Sequence, residues 1–225
     1  MGTLSVTKIN HLFWLGRYTE RVSTTLRFMI DVGDQMIDGD PVDYHAICRH
    51  LIIPDIYKDA DDFCTQFLFS RDNPDSVMSA MDRAYDNAIV LRETLSSDAL
   101  SYIFLAMDSM LRAAASNAPA LDMQSTIDYL LAFRGSLVDY ILDDETRRVI
   151  ELGRNVERID LYVRLEFRED RIRSELARLV NRMYKTTVPC DPVRMEKLAN
   201  VLLEPEQNWP SVKEFLDWVD NVFLV

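Results

Sequence analysis

Glutamate and arginine recur at the same spacing in two distant parts of this chain. Residues 15–21 read LGRYTER and are followed by Arg27, and residues 152–158 read LGRNVER and are followed by Arg164. A glutamate within reach of a substrate can act as a general base, and arginine guanidinium groups bind carboxylates and phosphates. The repeat LGRxxERxxxxxR is therefore the first candidate for chemistry in this sequence.

Two interpretations of the repeat stay open from the sequence alone. In the first, the charges form an internal ion-pair network that orients two helices, and a glycine in each copy lets these helices cross closely. In the second, the arginines line a pocket for a carboxylate or phosphate, and Glu20 and Glu157 act as orienting groups or bases. The candidate residues are Arg17, Glu20, Arg21, Arg27, Arg154, Glu157, Arg158, Asp160 and Arg164, with Gly16 and Gly153 as helix-contact glycines.

Helical periodicity places each copy along the edge of an apolar helix face. At about 100° per residue, Leu15 and Val22 share an apolar face, and Gly16, Glu20 and Arg27 lie in a narrow sector beside it. A glycine inside a helix costs about 1 kcal/mol relative to alanine. In both copies, another interaction must compensate for this loss of helix stability.

The composition predicts an all-α protein. The chain has 225 residues, of which only 6 are Gly and 8 are Pro, and no long stretch alternates with period two. We predict a multi-helix bundle in a single domain over residues 1–225, in which two long central helices carry the repeat. Residues 1–188 would form the main bundle, and a short helical pair over residues 189–225 would pack on it. The second repeat helix would run from about residue 145 to 167, and the Arg/Glu-rich run after it could extend it to Tyr184.

Charge and motif content exclude several classes of function. The formal net charge of −12 argues against binding to nucleic acids or anionic membranes. The arginines of residues 147–182 alternate with acidic residues, a pattern more typical of a solvated or salt-bridged helix than of a phosphate-binding strip, the alternative. Cys48, Cys64 and Cys190 fit no zinc or CxxC spacing, and there is no secretion signal or long apolar run, so we expect a cytoplasmic protein. No cofactor motif is present, and we expect no cofactor.

Two acidic clusters offer a weaker alternative, a Mg²⁺-dependent all-α enzyme acting on pyrophosphate. The clusters are Asp59, Asp61 and Asp62, and Asp143, Asp144 and Glu145. Both stand where helices should begin, and carboxylates there bind free amides at the positive end of the helix dipole. We interpret both clusters as helix caps and expect no metal site.

Three motifs occur in a fixed order and resemble one known family. Residues 10–21 read NHLFWLGRYTER, residues 73–76 read NPDS ahead of AYDNA at 84–88, and residues 152–158 read LGRNVER. In this order, over roughly residues 5–168, they resemble the bacterial alpha-E domain family, also catalogued as a domain of unknown function. The resemblance implies an all-α protein commonly encoded beside circularly permuted ATP-grasp ligase-like proteins and transglutaminase-like proteins, and proposed to act with them in peptide synthesis or modification.

The resemblance adds a second group of candidate residues: Asn73, Asp86, Asn87 and Arg92. The chain departs from the family pattern here, because Asp86 stands where Glu is usual and Ile89 where Arg is usual. A role for the segment 84–93 is weakened by this departure.

We therefore predict a cytoplasmic helical accessory or binding protein that acts with an ATP-grasp-like ligase or a transglutaminase-like protein. A peptide or a small anionic molecule is the expected ligand class. The alternative is an enzyme of the same pathway, in which Glu20 or Glu157 is the general base and the arginines neutralise a carboxylate or phosphate. The chain shows no activated nucleophile, which favours the binding protein. The sequence leaves the oligomeric state open.

Overall fold

Helices form most of the chain in the computed structural model, which describes residues 4–116, 119–204 and 208–224. Within these ranges there are ten α-helices, and the only bridge of β type is an isolated one between Cys190 and Phe223. The all-α prediction is confirmed. The helices are α1 (Val6–Asp38), α2 (Tyr44–Leu51), α3 (Ala60–Phe69), α4 (Val77–Val90), α5 (Ser97–Ala114), α6 (Pro119–Tyr140), α7 (Asp144–Arg164), α8 (Glu169–Met183), α9 (Pro192–Val201) and α10 (Val212–Asp220).

Both acidic clusters begin helices. The Asp59 carboxylate accepts a hydrogen bond from the Asp62 backbone N–H at 2.8 Å and caps α3. The Asp143 carboxylate accepts one from the Thr146 N–H at 3.0 Å and caps α7. Hydrogen bonds from Thr146 lower the pKa of Asp143, as expected for a carboxylate that is a hydrogen-bond acceptor in its charged form. The interpretation of these clusters as caps is confirmed.

The extension of the second repeat helix to Tyr184 is wrong, because α7 ends at Arg164 and α8 begins at Glu169. Glu166 adopts a left-handed conformation, with φ of 53°. Its N–H donates to the Val163 carbonyl at 3.3 Å, and the Phe167 N–H donates to the Tyr162 carbonyl at 2.8 Å. The Tyr162 and Phe167 rings stack with centroids 4.4 Å apart. This is a complete Schellman motif, which terminates the helix.

The chain folds into two compact units. The terminal unit comprises Met1–Arg17 and Asp143–Val225, and the central unit comprises Tyr18–Leu142. The organisation of residues 1–225 as a single domain, with residues 1–188 as the main bundle, stays a prediction.

In the terminal unit, α7 packs on α8 and α10, and α9 packs on α8 and α10. Hydrogen bonds between residues 189–191 and 222–224 tie the two short C-terminal helices together: the Asp191 N–H donates to the Val222 carbonyl at 2.8 Å, and the Leu224 N–H donates to the Pro189 carbonyl at 2.9 Å. The expected short C-terminal pair corresponds to α9 and α10, of which α10 packs on α7, the helix that carries the second repeat.

In the central unit, α5 and α6 form the most extensive helix pair, and α4 packs on both α3 and α5. Aromatic rings fill the region between α2 and α3. Phe63 stacks on Phe67 with centroids 5.2 Å apart, and Tyr57 meets the Phe63 ring edge-on at 5.0 Å.

The first part of α1 and the middle of α7 touch through their backbones at the two repeat glycines. A Cβ atom added at Gly16 would lie 2.1 Å from the Ile150 carbonyl oxygen, and one added at Gly153 would lie 2.0 Å from the Phe13 carbonyl oxygen. Each of these carbonyls belongs to the residue three positions before the opposite glycine. The two glycines therefore make equivalent contacts, related by a local twofold axis.

We predict that Gly16→Ala and Gly153→Ala each lower the free energy of unfolding by about 1–3 kcal/mol or more, because the new methyl group meets backbone atoms that cannot rotate away. Gly33→Ala in α1 is the matched control, since no heavy atom lies within 4 Å of a Cβ placed there. We expect it to stabilise the chain by about 0.5–1 kcal/mol through helix propensity. Urea denaturation of the three variants measures these differences. Equal stabilisation by all three would contradict the close crossing.

Candidate functional site

Arg17 stands at the centre of a buried charge cluster in the terminal unit. Its Nε donates to Glu157 Oε2 at 2.6 Å, and its Nη2 donates to Asp220 Oδ1 at 2.9 Å. Its guanidinium carbon lies 5.1 Å from the centre of the Trp14 ring. Arg17 is 8% exposed and Glu157 is 0% exposed. Burial alone would lower the pKa of Arg17, but the negative charges of Glu157 and Asp220 raise it above its usual range.

The glycine contact explains why Arg17 and Glu157 meet. Arg17 follows Gly16 directly, and its backbone nitrogen lies 3.2 Å from the Cβ position of Gly153. Glu157 lies one helical turn after Gly153 on the same side of α7. Because the two backbones are in contact at the glycines, side chains one to four residues beyond them can pair directly across the crossing.

Asp160 adds a third carboxylate to this cluster. Both of its oxygens accept from Arg164 Nε, at 2.8 and 2.9 Å. Burial raises the pKa of Asp160 to about 6, and the charges of Glu157 and Asp220 act in the same direction, while Arg164 opposes them. The cluster thus places three carboxylates, those of Glu157, Asp160 and Asp220, beside the two guanidinium groups of Arg17 and Arg164.

A second polar network joins α7 to α8. The buried Glu175 carboxylate accepts from Asn155 Nδ2 at 2.9 Å and from Arg158 Nη1 at 3.3 Å. Arg182 Nη2 donates to Glu151 Oε2 at 2.9 Å. Further ion pairs of this network join Arg154 to Glu151 and Arg178 to Glu175. The interpretation of the Arg/Glu-rich run as salt-bridged helices is confirmed.

The first copy of the repeat continues into the central unit. Glu20 is buried, and its Oε1 accepts from the Thr24 hydroxyl at 2.9 Å. Arg21 is half-buried, whereas Arg27 is exposed. The difference between Arg27 and Arg164 follows from sequence, because the position four residues earlier holds Ser23 in the first copy and Asp160 in the second. Only Arg164 therefore has a carboxylate one turn before it.

The second group of candidates makes local contacts in the central unit. Asn73 Nδ2 donates to the Tyr57 hydroxyl at 3.0 Å, and Asn73 Oδ1 accepts from the Asp75 N–H at 3.0 Å, which shapes the turn before α4. Asn87 Nδ2 donates to the Arg83 carbonyl at 2.8 Å within α4. The remaining two, Asp86 and Arg92, are exposed. These contacts position the ends of α4 and give no chemical role to the group.

A surface depression of about 440 Å³ borders the Glu175 network. Its polar lining combines two arginines with two carboxylates: it consists of Tyr162, Asp170, Arg171, Ser174, Glu175 and Arg178. Such a mixture suits a small ligand that carries a carboxylate or phosphate.

Sequence reasoning missed Asp220. It lies in α10, 203 positions from Arg17, and no spacing pattern connects the two residues. Across the described ranges, no three His, Cys, Asp or Glu side chains stand where they could share a metal ion. None of the helices in those ranges has the length and apolar character needed to cross a membrane.

Each copy of the repeat contains a buried glutamate followed directly by a half-buried arginine. The sequence model of the Alpha-E family, described as a predicted alpha-helical domain with a conserved ER motif, matches residues 8–166. The chain belongs to the Alpha-E family. Both of its Glu-Arg dipeptides, Glu20-Arg21 and Glu157-Arg158, lie within the matched residues of this Alpha-E chain. Searches of the curated proteins and of the solved structures gave no match.

We predict that Glu157→Gln lowers the free energy of unfolding by about 3–5 kcal/mol, because it leaves the buried Arg17 charge without its nearest carboxylate. Asp86→Asn is the control, and its exposed side chain should change stability by less than about 0.5 kcal/mol. Chemical denaturation at neutral pH measures both. A Glu157→Gln protein as stable as the parent would show that the pair does not hold the two helices together.

The raised pKa of Asp160 gives a pH-dependent prediction. At a pH between the ordinary pKa of 3.8 and the raised pKa of about 6, Asp160 is protonated in the folded state and ionised in the unfolded state. The protonated Asp160 therefore stabilises the fold at low pH, and this stabilisation is lost as the pH rises through about 6. Asp160→Asn removes this term. From about pH 4.5 to about pH 7.5, we expect the variant to gain on the order of 2 kcal/mol relative to the parent. Thermal melts at both pH values test this, and a pH-independent difference would contradict it.

Proposed function

We propose that this Alpha-E chain is a helical accessory protein that binds a partner enzyme, and that its Glu/Arg repeat fixes the geometry of two helices rather than doing chemistry. The observation that carries the proposal is the Arg17–Glu157 pair, in which a fully buried carboxylate lies 2.6 Å from a guanidinium nitrogen.

A general base has to approach the proton that it removes to within hydrogen-bond distance, directly or through one water molecule. Glu157 has no exposed surface, and its Oε2 already accepts a charge-assisted hydrogen bond. Reaching a substrate would require the α1–α7 crossing to open. Ion pairs of this kind fix the arrangement of helices more readily than they serve catalysis.

The partner class comes from the resemblance to the alpha-E domain family. It implies an ATP-grasp-type peptide ligase as the partner, with a transglutaminase-like protein as the second candidate, in peptide synthesis or modification in the cytoplasm. An accessory role requires stable helices with exposed binding surfaces. Buried charge pairs and capped helices support the first requirement.

A second candidate function rests on the depression beside Glu175. Arg171 and Arg178 could hold a carboxylate or phosphate there, which would fit the alternative of an enzyme or a small-molecule binding protein in the same pathway. Glu175 already pairs with Arg158 and Arg178, so its charge is part of the fold.

Copurification tests the accessory role. The tagged full-length chain is expressed together with the ATP-grasp-type ligase and the transglutaminase-like protein of the neighbouring genes, and complexes are separated by gel filtration. We expect a complex that contains at least one of these proteins and that survives the double substitution Arg171→Ala and Arg178→Ala. If no complex forms, and the chain alone modifies a peptide in a reaction abolished by the double substitution, the second candidate replaces the first.

A further inference from the structure

One face of α6 is exposed and largely apolar. Between residues 121 and 138, the exposed residues are those spaced alternately by three and four positions: Leu121, Gln124, Asp128, Leu131, Gly135 and Val138. We call this row the α6 stripe. Leu121 and Val138 are 74% and 72% exposed, and Leu131 is 47% exposed. Burial of such side chains against a partner is favourable because it removes apolar surface from water.

The spacing of the α6 stripe allows a helical partner to pack along it. Rows alternating by three and four have a mean period of 3.5 residues, the period of helices that pack along one another in coiled coils. A second helix with the same mean period can therefore lie along the whole stripe.

Gly135 provides a place for close approach within the α6 stripe. Nothing lies within 4 Å of a Cβ atom added there, in contrast to Gly16 and Gly153, whose missing Cβ atoms face the backbone of another helix. An exposed helix-interior glycine costs about 1 kcal/mol relative to alanine. A second helix could cross closely at Gly135, in the space left by the missing side chain.

The charges of α6 decide between a second copy and another partner. Its three aspartates outnumber its one arginine, Arg134. In a parallel pair of identical stripes, Asp128 would face Asp128, and in an antiparallel pair aligned on the centre of the stripe it would face Leu131. The first arrangement sets like charges together, and the second buries a carboxylate against an apolar side chain. A helix with a basic residue opposite Asp128 avoids both costs.

We propose that the α6 stripe is the docking surface for a basic amphipathic helix of a partner protein. This inference rests on the proposed accessory function and deepens it, because it names the surface and the chemistry of the segment that the partner presents. The leucines of that helix would cover Leu121, Leu131 and Val138, its backbone would cross at Gly135, and its basic residues would face Asp128 and Asp139.

A defined peptide probe tests the chemistry. The probe is a labelled three-heptad peptide with leucine at positions a and d and lysine at positions e and g, and its matched control carries glutamate at e and g. Fluorescence anisotropy with the full chain should show binding of the lysine peptide and at least about tenfold weaker binding of the glutamate peptide. Equal affinity for the two peptides, or no binding of either, overturns the proposal.

Substitutions locate the binding surface. Leu131→Gln with Val138→Gln should weaken binding of the lysine peptide by about tenfold or more. The matched control is Ile37→Gln with Val90→Gln, which removes two exposed apolar residues of the same unit outside α6 and should leave the affinity unchanged. Equal effects of the two double variants overturn the proposal, because they indicate non-specific attraction to an acidic protein.

Gly135→Ala gives the sharpest signature. It should raise the thermal midpoint of the free chain, since the space is open and alanine favours helix, and yet weaken peptide binding by about threefold or more. Gly33→Ala should raise the midpoint without changing binding. A Gly135→Ala protein that binds as tightly as the parent overturns the crossing at Gly135.

Two further measurements separate this inference from the function on which it rests. If the ligase complex forms and persists when Leu131 and Val138 are replaced, the stripe is not the docking surface, and the accessory function stands. If no such complex forms while peptide binding follows the stripe variants, the accessory function in that pathway fails and the surface stands. Sedimentation velocity tests whether a second copy of the chain occupies the stripe. If the parent is a dimer and the stripe variants are monomers, the proposal is overturned in favour of a second copy.

Discussion

The backbone contact between α1 and α7 is the constraint on which the terminal unit depends. At Gly16 and at Gly153 the missing side chain is replaced by a carbonyl group of the other helix, and the hydrogen on each glycine Cα is placed to approach that oxygen. A Cβ atom at either position would overlap that carbonyl oxygen, so the helices could not lie this close with any other residue there. Residues just after the glycines are therefore brought together, and Arg17, one position after Gly16, pairs with Glu157, four positions after Gly153.

The charge cluster at this crossing is a consequence of that geometry. Desolvation of Arg17 and Glu157 is costly, and their direct pairing, with Asp220 as a second acceptor, offsets much of that cost. Asp160 shows that the compensation is incomplete, because burial raises the pKa of its carboxyl group and the negative charges of Glu157 and Asp220 add to that rise. A hydrophobic contact of the same volume could stabilise as well, but it would not fix which turns of the two helices face each other.

Local sequence signals predict the helices better than the contacts between them. Asp59 and Asp143 start their helices through hydrogen bonds three residues ahead, which a sequence displays directly. The end of α7 at Arg164 could not be predicted from the sequence, because Glu166, rather than the glycine typical of that position, adopts the left-handed conformation. Asp220 was equally hidden, since only the packing of α10 on α7 brings it to Arg17. Period and capping act over a few residues, whereas ion-pair partners are selected by the fold as a whole.

The buried charge pairs and the α6 stripe lie on different helices of this chain. In the second repeat copy, the buried Glu157 is paired with Arg17 of α1. In α8, the buried Glu175 is paired with Arg158 of α7 and with Arg178 of its own helix. The α6 stripe is the reverse case, with apolar side chains left in water along one regular row. Burying the exposed surface of those side chains would be favourable by roughly 25 cal/mol per Å², and Leu121 and Val138 are 74% and 72% exposed. A regular row of exposed apolar side chains on a helix is suited to recognition by packing, in which a partner supplies a further helix.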